Sequence, residues 1–218
     1  MSRPTPAVQD YLKAVFMASQ AGAVTTRVVA DRLGVSAASA TNMLKRLDSL
    51  GLVRHEHYKG AALTEAGLKV ALEVIRHHRL LETYLAEAMG VPWDRVHEEA
   101  EVLEHVLSED LEDRIAELLG DPEFDPHGHP IPAKDGTMPA ASDRRLWDVS
   151  DGTSVAVERV SDHEAAVLRY LGQAGIRPGT NLEVVSRGPL EGPLFVRVDG
   201  ESEDVALSRE LAEAVWVA

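Results

Sequence analysis

Between Thr25 and Val53 the chain reads TTRVVADRLGVSAASATNMLKRLDSLGLV, two helix-length segments each opened by a hydroxyl residue and closed by a glycine, Gly34 and Gly51. A hydroxyl at a helix start accepts backbone N–H groups that have no partner in the first turn, and glycine just past the end takes the left-handed conformation. Two short helices joined by a Gly-containing turn form a helix-turn-helix. Upstream, AVQDYLKAVFMASQ sets Val8, Leu12, Val15 and Phe16 at helical spacing and stops before Gly22, which predicts a first helix. Downstream, LVRHEHYKGAALTEAG reads as a strand, a turn at Tyr58-Lys59-Gly60, a second strand and a helix capped by Thr64. This is the winged form of the motif.

The second helix of the pair begins with small polar residues, Ser36, Ser39, Thr41 and Asn42, and ends in Lys45 and Arg46. A recognition helix has that layout, with N-terminal side chains meeting base edges and flanking cations meeting phosphates. The candidate DNA contacts are Arg27, Ser36, Ala38, Ser39, Thr41, Asn42 and Lys45, with Tyr58 and Lys59 on the wing. Any small three-helix domain has a turn between helices, so the motif needs support from charge. The whole chain carries a net charge of -14, which taken alone argues against nucleic acid. Residues 1–75, however, hold nine Lys or Arg against six acids, net +3, leaving 13 basic and 30 acidic residues, net -17, for the remainder. A basic module on an acidic body fits that asymmetry.

With 218 residues and 44% hydrophobic content the chain can bury one or two ordinary cores. It has no apolar run long enough to span a membrane, and MSRPTPAVQDYLK lacks an apolar leader with a cleavage site, so a cytoplasmic protein is expected. There are 0 cysteines, which excludes disulfides and thiolate ligands; any metal must be held by oxygen and nitrogen.

From 64 to 119 the pattern is helical almost throughout. Within it HEEAEVLEH, residues 97–105, sets His97, Glu101, Glu104 and His105 along one side of an expected helix, because residues three and four apart are surface neighbours. The preceding helix carries HHRLLE, in which His78 and Glu82 are four apart. A Glu stripe is usually a solvated face, and a lone His such as His77 is more often a surface or satisfied core residue. Six donors at compatible spacing on consecutive helices favour one or two divalent ions instead. Apolar residues in excess of what two helices need, among them Leu80, Leu81, Leu85, Val102, Val106 and Leu107, predict a homodimer. Residues 120–146 are dense in Pro, Gly and Asp and predict an extended loop. The rest alternates short strands with one helix around Ala165 to Ala174, which predicts a small antiparallel barrel.

Taken together, DYLKAVF, LDSLGLV, LTEAG, HHRLLE, VHEEAEVLEHVLSED, PHGHPIP, GIRPGT and LSRELA resemble the diphtheria toxin repressor family of metal-dependent regulators over nearly the whole chain. The resemblance implies a mainly α fold with small β parts: a winged helix-turn-helix at 1–73, a helical metal-binding and dimerisation domain at 74–140 and an SH3-like, FeoA-like domain at 141–218. It implies a primary metal site on Asp10, Glu101, Glu104 and His105 and an ancillary site on His78, Glu82 and His97. At the positions of Asp10 and Glu101 the iron-responsive branch carries sulfur residues, whereas carboxylates there resemble the manganese-responsive branch. Manganese is therefore the expected ion and iron the alternative, with one or two ions per chain and a double-stranded DNA operator as partner. Two features depart from the manganese branch: Lys13 stands where that branch has a further acid, and the C-terminal domain is kept where many of its members lack it. In relatives that keep this domain it lends ligands to the ancillary site, and Asp162, His163 and Glu164 are the nearest candidates. His127 and His129 are read as parts of a proline-fixed turn and not as ligands.

The expected mechanism is that Asp10 repels Glu101 and Glu104 until a cation joins them, which would set the spacing of two recognition helices. Two rivals remain from sequence. A metalloenzyme would need an open coordination position and a general base, and no independent catalytic motif occurs. A metal-independent winged-helix regulator would use the long helices for dimerisation alone.

Overall fold

A computed structural model of the chain describes residues 4–56 and 60–218. The expected wing contacts Tyr58 and Lys59 lie outside the described residues. The chain divides into two compact units, one of Met1–His77, Glu104–Leu107 and Pro132–Thr137, the other of His78–Leu103, Ser108–Ile131 and Met138–Ala218.

In the first unit α1 (Pro6–Ala21), α2 (Thr26–Arg32) and α3 (Ala37–Ser49) precede the antiparallel pair β1 (Val53–Glu56) and β2 (Gly60–Leu63). The caps form as the sequence predicts: Thr25 accepts the N–H of Val28 at 3.2 Å and Ser36 that of Ser39 at 3.1 Å. Gly34 sits at φ 62° in the turn between α2 and α3, a conformation in which any Cβ is strained. Leu12, Val15, Val29, Ala40, Leu44 and Leu47 interdigitate in one core, so α1 and α3 share a packed face. Displacing α1 must therefore be felt at α3.

Thr64 closes this unit onto α4 (Glu65–Glu87). Its hydroxyl donates to Gly51 O at 2.7 Å and accepts the N–H of Gly67 at 3.1 Å. A Cβ on Gly67 would lie 1.9 Å from Leu52 O, so the first turn of α4 rests directly on the backbone after α3.

The long helix expected through residue 119 does not form as one element. Instead α5 (Val96–Leu103) stops, a turn follows, and α6 (Glu109–Leu118) restarts under a Ser108 cap that accepts the N–H of Leu111 at 3.3 Å. Ser108 offers the backbone an N-cap that competes with continued helix, and the turn buries Glu104 and Leu107. His97 and Glu101 thus stay on α5, while Glu104 and His105 leave it and join the first unit.

The C-terminal part of the second unit is a five-stranded antiparallel sheet. In chain order it comprises β3 (Thr153–Val160), α7 (Ala165–Gln173), β4 (Asn181–Arg187), β5 (Leu194–Val198), β6 (Asp204–Leu207), α8 (Arg209–Glu213) and β7 (Val215–Val217). The strand order is β6-β5-β4-β3-β7, so the sheet is open where a closed barrel was expected. Its last strand has 3 residues and α8 intervenes between the two edge strands, which leaves no ladder to close the sheet. Leu182 opposite Val198 and Val184 opposite Val196 fill its core. No helix among the described residues is long and apolar enough to cross a membrane.

Gly67→Ala sets two effects against each other. Helix propensity favours alanine by about 1 kcal/mol, and the collision with Leu52 O forces a backbone shift of roughly 1–3 kcal/mol or more. We expect the collision to win, lowering the urea midpoint of the first unit followed by circular dichroism; a rise would mean that α4 does not rest on Leu52.

Candidate metal centre

One turn of α1 presents Gln9, Asp10 and Lys13 to the 104–107 turn. His105 donates through Nδ1 to Gln9 Oε1 at 2.8 Å, and Gln9 is 1% exposed, so the ring orientation is fixed from behind. That assignment leaves Nε2 facing Asp10 Oδ1 at 2.8 Å and Glu104 Oε1 at 3.6 Å. An imidazole nitrogen and two carboxylate oxygens converge on one point, a donor set that suits a cation, and an N–H donated backward is what orients a ligating histidine. Lys13 Nζ lies 2.7 Å from Glu104 Oε2, on the other oxygen of that carboxylate. The expected bare repulsion among these acids is thus tempered by an ammonium group. His77, fully buried, approaches the Glu104 carbonyl through Nδ1 at 3.2 Å and braces the same turn.

A second cluster lies wholly in the second unit. His78 Nε2 is 3.0 Å from both Glu82 Oε1 and His97 Nδ1, and His97 Nδ1 is 3.1 Å from Glu82 Oε1. Two imidazole nitrogens and a carboxylate oxygen within hydrogen-bond distance of one another share a charge or hold an ion. Glu101 Oε1 stands 3.8 Å from His78 Nδ1 and 3.8 Å from His97 Nε2, which places Glu101 beside the residues expected of the ancillary site. Of the three candidates from the C-terminal domain, Asp162 turns its Oδ2 toward His97 Nδ1 at 3.9 Å. His163 is half exposed with its Nδ1 3.4 Å from Asp162 Oδ1, and Glu164 is exposed at the start of α7.

His127 and His129, read from sequence as parts of a fixed turn, lie beside the second cluster. Both are buried, with His127 Nδ1 3.8 Å from Glu82 Oε2 and His129 Nδ1 3.7 Å from Asp162 Oδ2. The turn that carries them is indeed rigid, and Asp125 fixes it, its Oδ1 accepting the backbone N–H of His127 at 2.8 Å and of His129 at 2.9 Å. A Cβ on Gly128 would lie 2.0 Å from Glu158 O, so that turn is pressed against β3. The signal in DPHGHPIP was an Asp two and four residues before the histidines; it marks a loop built to aim two rings. Glu82 Oε2, Asp125 Oδ2, His127 Nδ1 and His129 Nδ1 are buried without a hydrogen bond, and such atoms suit a cation.

Electrostatics agree with the geometry. Burial opposes charge on Glu82, yet the charge of His78, the approach of His127 and hydrogen bonds with His78 and His97 hold its carboxyl well below the usual range. Burial likewise raises Asp162 while His129, His163 and His97 outweigh it, so that carboxyl too is lowered. For His127 burial works against the charge, but Glu82, Asp125 and Asp162 push it up to about 9.

On α3, Ala38, Ser39, Asn42 and Lys45 are exposed, as is Arg27 on α2, which faces Asp31 at 3.6 Å. The hydroxyl of Thr41 donates to Ala37 O at 2.8 Å, and that of Ser36 accepts the N–H of Ser39 as the helix cap.

A winged helix whose first helix shares a carboxylate and imidazole cluster with a neighbouring turn defines a class, the metal-dependent transcription regulators. Residues 5–61 match the family described as iron dependent repressor, N-terminal DNA binding domain; 64–133 match its metal binding and dimerisation domain; 144–218 match the FeoA domain. The iron-dependent repressor IdeR of Mycobacterium tuberculosis is 32% identical over 230 residues, covering 100% of this chain and 99% of that protein. The diphtheria toxin repressor of Corynebacterium diphtheriae is 29% identical over 95% of the chain and 94% of its own length. Among solved structures, a manganese-dependent transcriptional repressor in complex with manganese superimposes with a TM-score of 0.91 at 41% identity, covering 97% of this chain and 99% of that one. The manganese regulator SloR gives 0.80 at 28%, covering 99% of each. The chain belongs to the iron-dependent repressor family, that of the diphtheria toxin repressor.

With its pKa raised in the fold, His127 contributes stability that is complete below about pH 6.5 and is lost as pH rises through about 9. We expect thermal unfolding in chelator to show a decline of at most about 3 kcal/mol across that window, flattened in His127→Gln.

Proposed function

We propose that the protein is a manganese-activated repressor of metal-uptake genes, acting in the cytoplasm as a homodimer on an operator, with iron as the alternative ion. One observation carries this reading: His105, held from behind by Gln9, converges with Asp10 of α1 and Glu104 of the 104–107 turn within 3.6 Å. All three donors are hard or borderline, which suits manganese or iron, and the absence of thiolates disfavours softer ions in geometry. We assign the primary site to Asp10, Glu104 and His105, with Glu101 as a further candidate ligand. The ancillary site is assigned to His78, Glu82 and His97, with Asp162 and His127 as its additional candidates. That gives one or two ions per chain.

A bound divalent ion would supply the positive charge that lets Asp10 and Glu104 approach closely without mutual repulsion. Gln9 fixes the His105 ring, and Asp10 carries α1 toward the turn. Because Leu12 and Val15 of α1 share a core with Leu44 and Leu47 of α3, the seat of α1 sets the seat of the recognition helix. A ligand that favours one seat shifts the population by its differential affinity, typically about 1–3 kcal/mol between coupled sites. We assign base contacts to Ala38, Ser39 and Asn42, and phosphate contacts to Arg27 and Lys45, with Tyr58 and Lys59 of the wing as further contacts and Ser36 and Thr41 as secondary ones. Exposed Val102, Leu118 and Met89 favour self-association, and the three-part division at 1–73, 74–140 and 141–218 assigns dimerisation to the middle segment. The reading leaves no role for catalysis.

Duplexes selected from a random pool by the wild-type protein in manganese provide the probe. Glu104→Ala is expected to fold and to lose at least about tenfold of the manganese-dependent gain in affinity at fixed salt. An unaltered response would refute the site, and a larger anaerobic response to iron than to manganese would favour the alternative ion. Asn42→Ala should relax base discrimination by about 1–3 kcal/mol, whereas Lys45→Ala should weaken all sequences alike and reduce the salt slope by about one.

A further inference from the structure

Lys13 joins the first cluster as a residue that a cation site does not call for. Its ammonium group is 2.7 Å from Glu104 Oε2, with side-chain exposures of 16% for Lys13 and 0% for Glu104. The opposite oxygen of the same carboxylate points to His105 Nε2 at 3.6 Å, and that nitrogen is 2.8 Å from Asp10 Oδ1. One buried carboxylate therefore faces a permanent cation on one side and the point of convergence on the other. Lys13 follows Gln9 by four residues, so the two side chains leave α1 on the same side and reach the same turn.

We propose that Lys13 is a resident counter-cation, which seats α1 on the 104–107 turn before any ion arrives and lowers the affinity of the cluster for divalent ions. The inference rests on the metal reading given above. Counted over Asp10, Glu104 and Lys13, the charges sum to -1 and a divalent ion takes the sum to +1; without the ammonium the same ion would bring these residues to neutrality. Repulsion between a divalent ion and an ammonium a few ångströms apart in a partly buried site is large compared with thermal energy. Removing one member of a buried ion pair also leaves the other uncompensated, which destabilises the ion-free fold. Lys13 thus acts in opposite directions on the two states: it supports the ion-free protein and opposes loading. The ion then gains less by closing a site that the lysine already holds nearly closed, and the response is pushed to higher ion concentration.

The test is manganese titration calorimetry of the full chain near neutral pH, with thermal unfolding in chelator alongside. The binding phase lost in Asp10→Ala reports this cluster. In Lys13→Met that phase should tighten at least about tenfold while the ion-free melting temperature falls; Lys13→Arg should stay within about threefold of wild type. A lysine with a structural role alone would weaken both when removed, so unchanged or weaker binding in Lys13→Met overturns the proposal while sparing the site. Should Lys13→Met not fold, Lys13→Gln makes the same comparison with a polar stem. If Asp10→Ala binds manganese as wild type does, the metal reading and the proposal fall together.

Discussion

The imidazole of His105 meets three acceptors at once: Gln9 behind it, Asp10 and Glu104 before it. An imidazole has two nitrogens, and once one of them has donated, the other can serve only one of the two carboxylates, while Lys13 meets the far oxygen of Glu104. The convergence joins α1 to the 104–107 turn at the point where a cation would act. It depends on a helix break that places Glu104 and His105 off the end of α5, because on a continued helix they would have stayed in register with His97 and Glu101.

The same break explains what was legible in the sequence. Caps, glycines and apolar spacing are local signals, and they gave α1 to α3, the strands of the wing and the order of the C-terminal elements at nearly the right bounds. The stop at Leu103 was hidden because VLEHVL continues a helical pattern without a glycine or proline, and Ser108 alone marks the restart. Donor types were legible as well, since His78, Glu82, His97, Glu104 and His105 all lie in clusters. Their neighbours were less so: Glu101, expected with Asp10, stands 3.8 Å from His78 and from His97, which depends on where the helix ends.

Gln9, Asp125 and the two histidines of the PHGHP turn illustrate a different limit. Asp125 marks its turn by local spacing, but Gln9 acts on a residue 96 positions away and His127 meets Glu82 across a long stretch of chain. Glu82 collects neighbours in the same manner, from His78 four residues on one side and from His127 far along the chain. Long-range placement of polar groups is decided by packing of the whole unit, and a window of sequence does not contain it. Residues that close a barrel are a similar case, for the expected closure required β6 and β7 to meet.

That open sheet has a consequence for how the protein behaves in a crowded cell. Unpaired strand edges are templates for aggregation, and proteins blunt them with short strands, charge or covering chain. Here β7 is bridged by Arg145 at Trp216, and the N–H of Val217 bonds Arg144 O, so the incoming segment masks that flank. On the other flank β6 has only 4 residues, begins with Asp204 paired to Arg197, and gives its Ala206 carbonyl to the Tyr170 hydroxyl. Both flanks are guarded against strand-by-strand association, so the sheet offers no open ladder to a second chain.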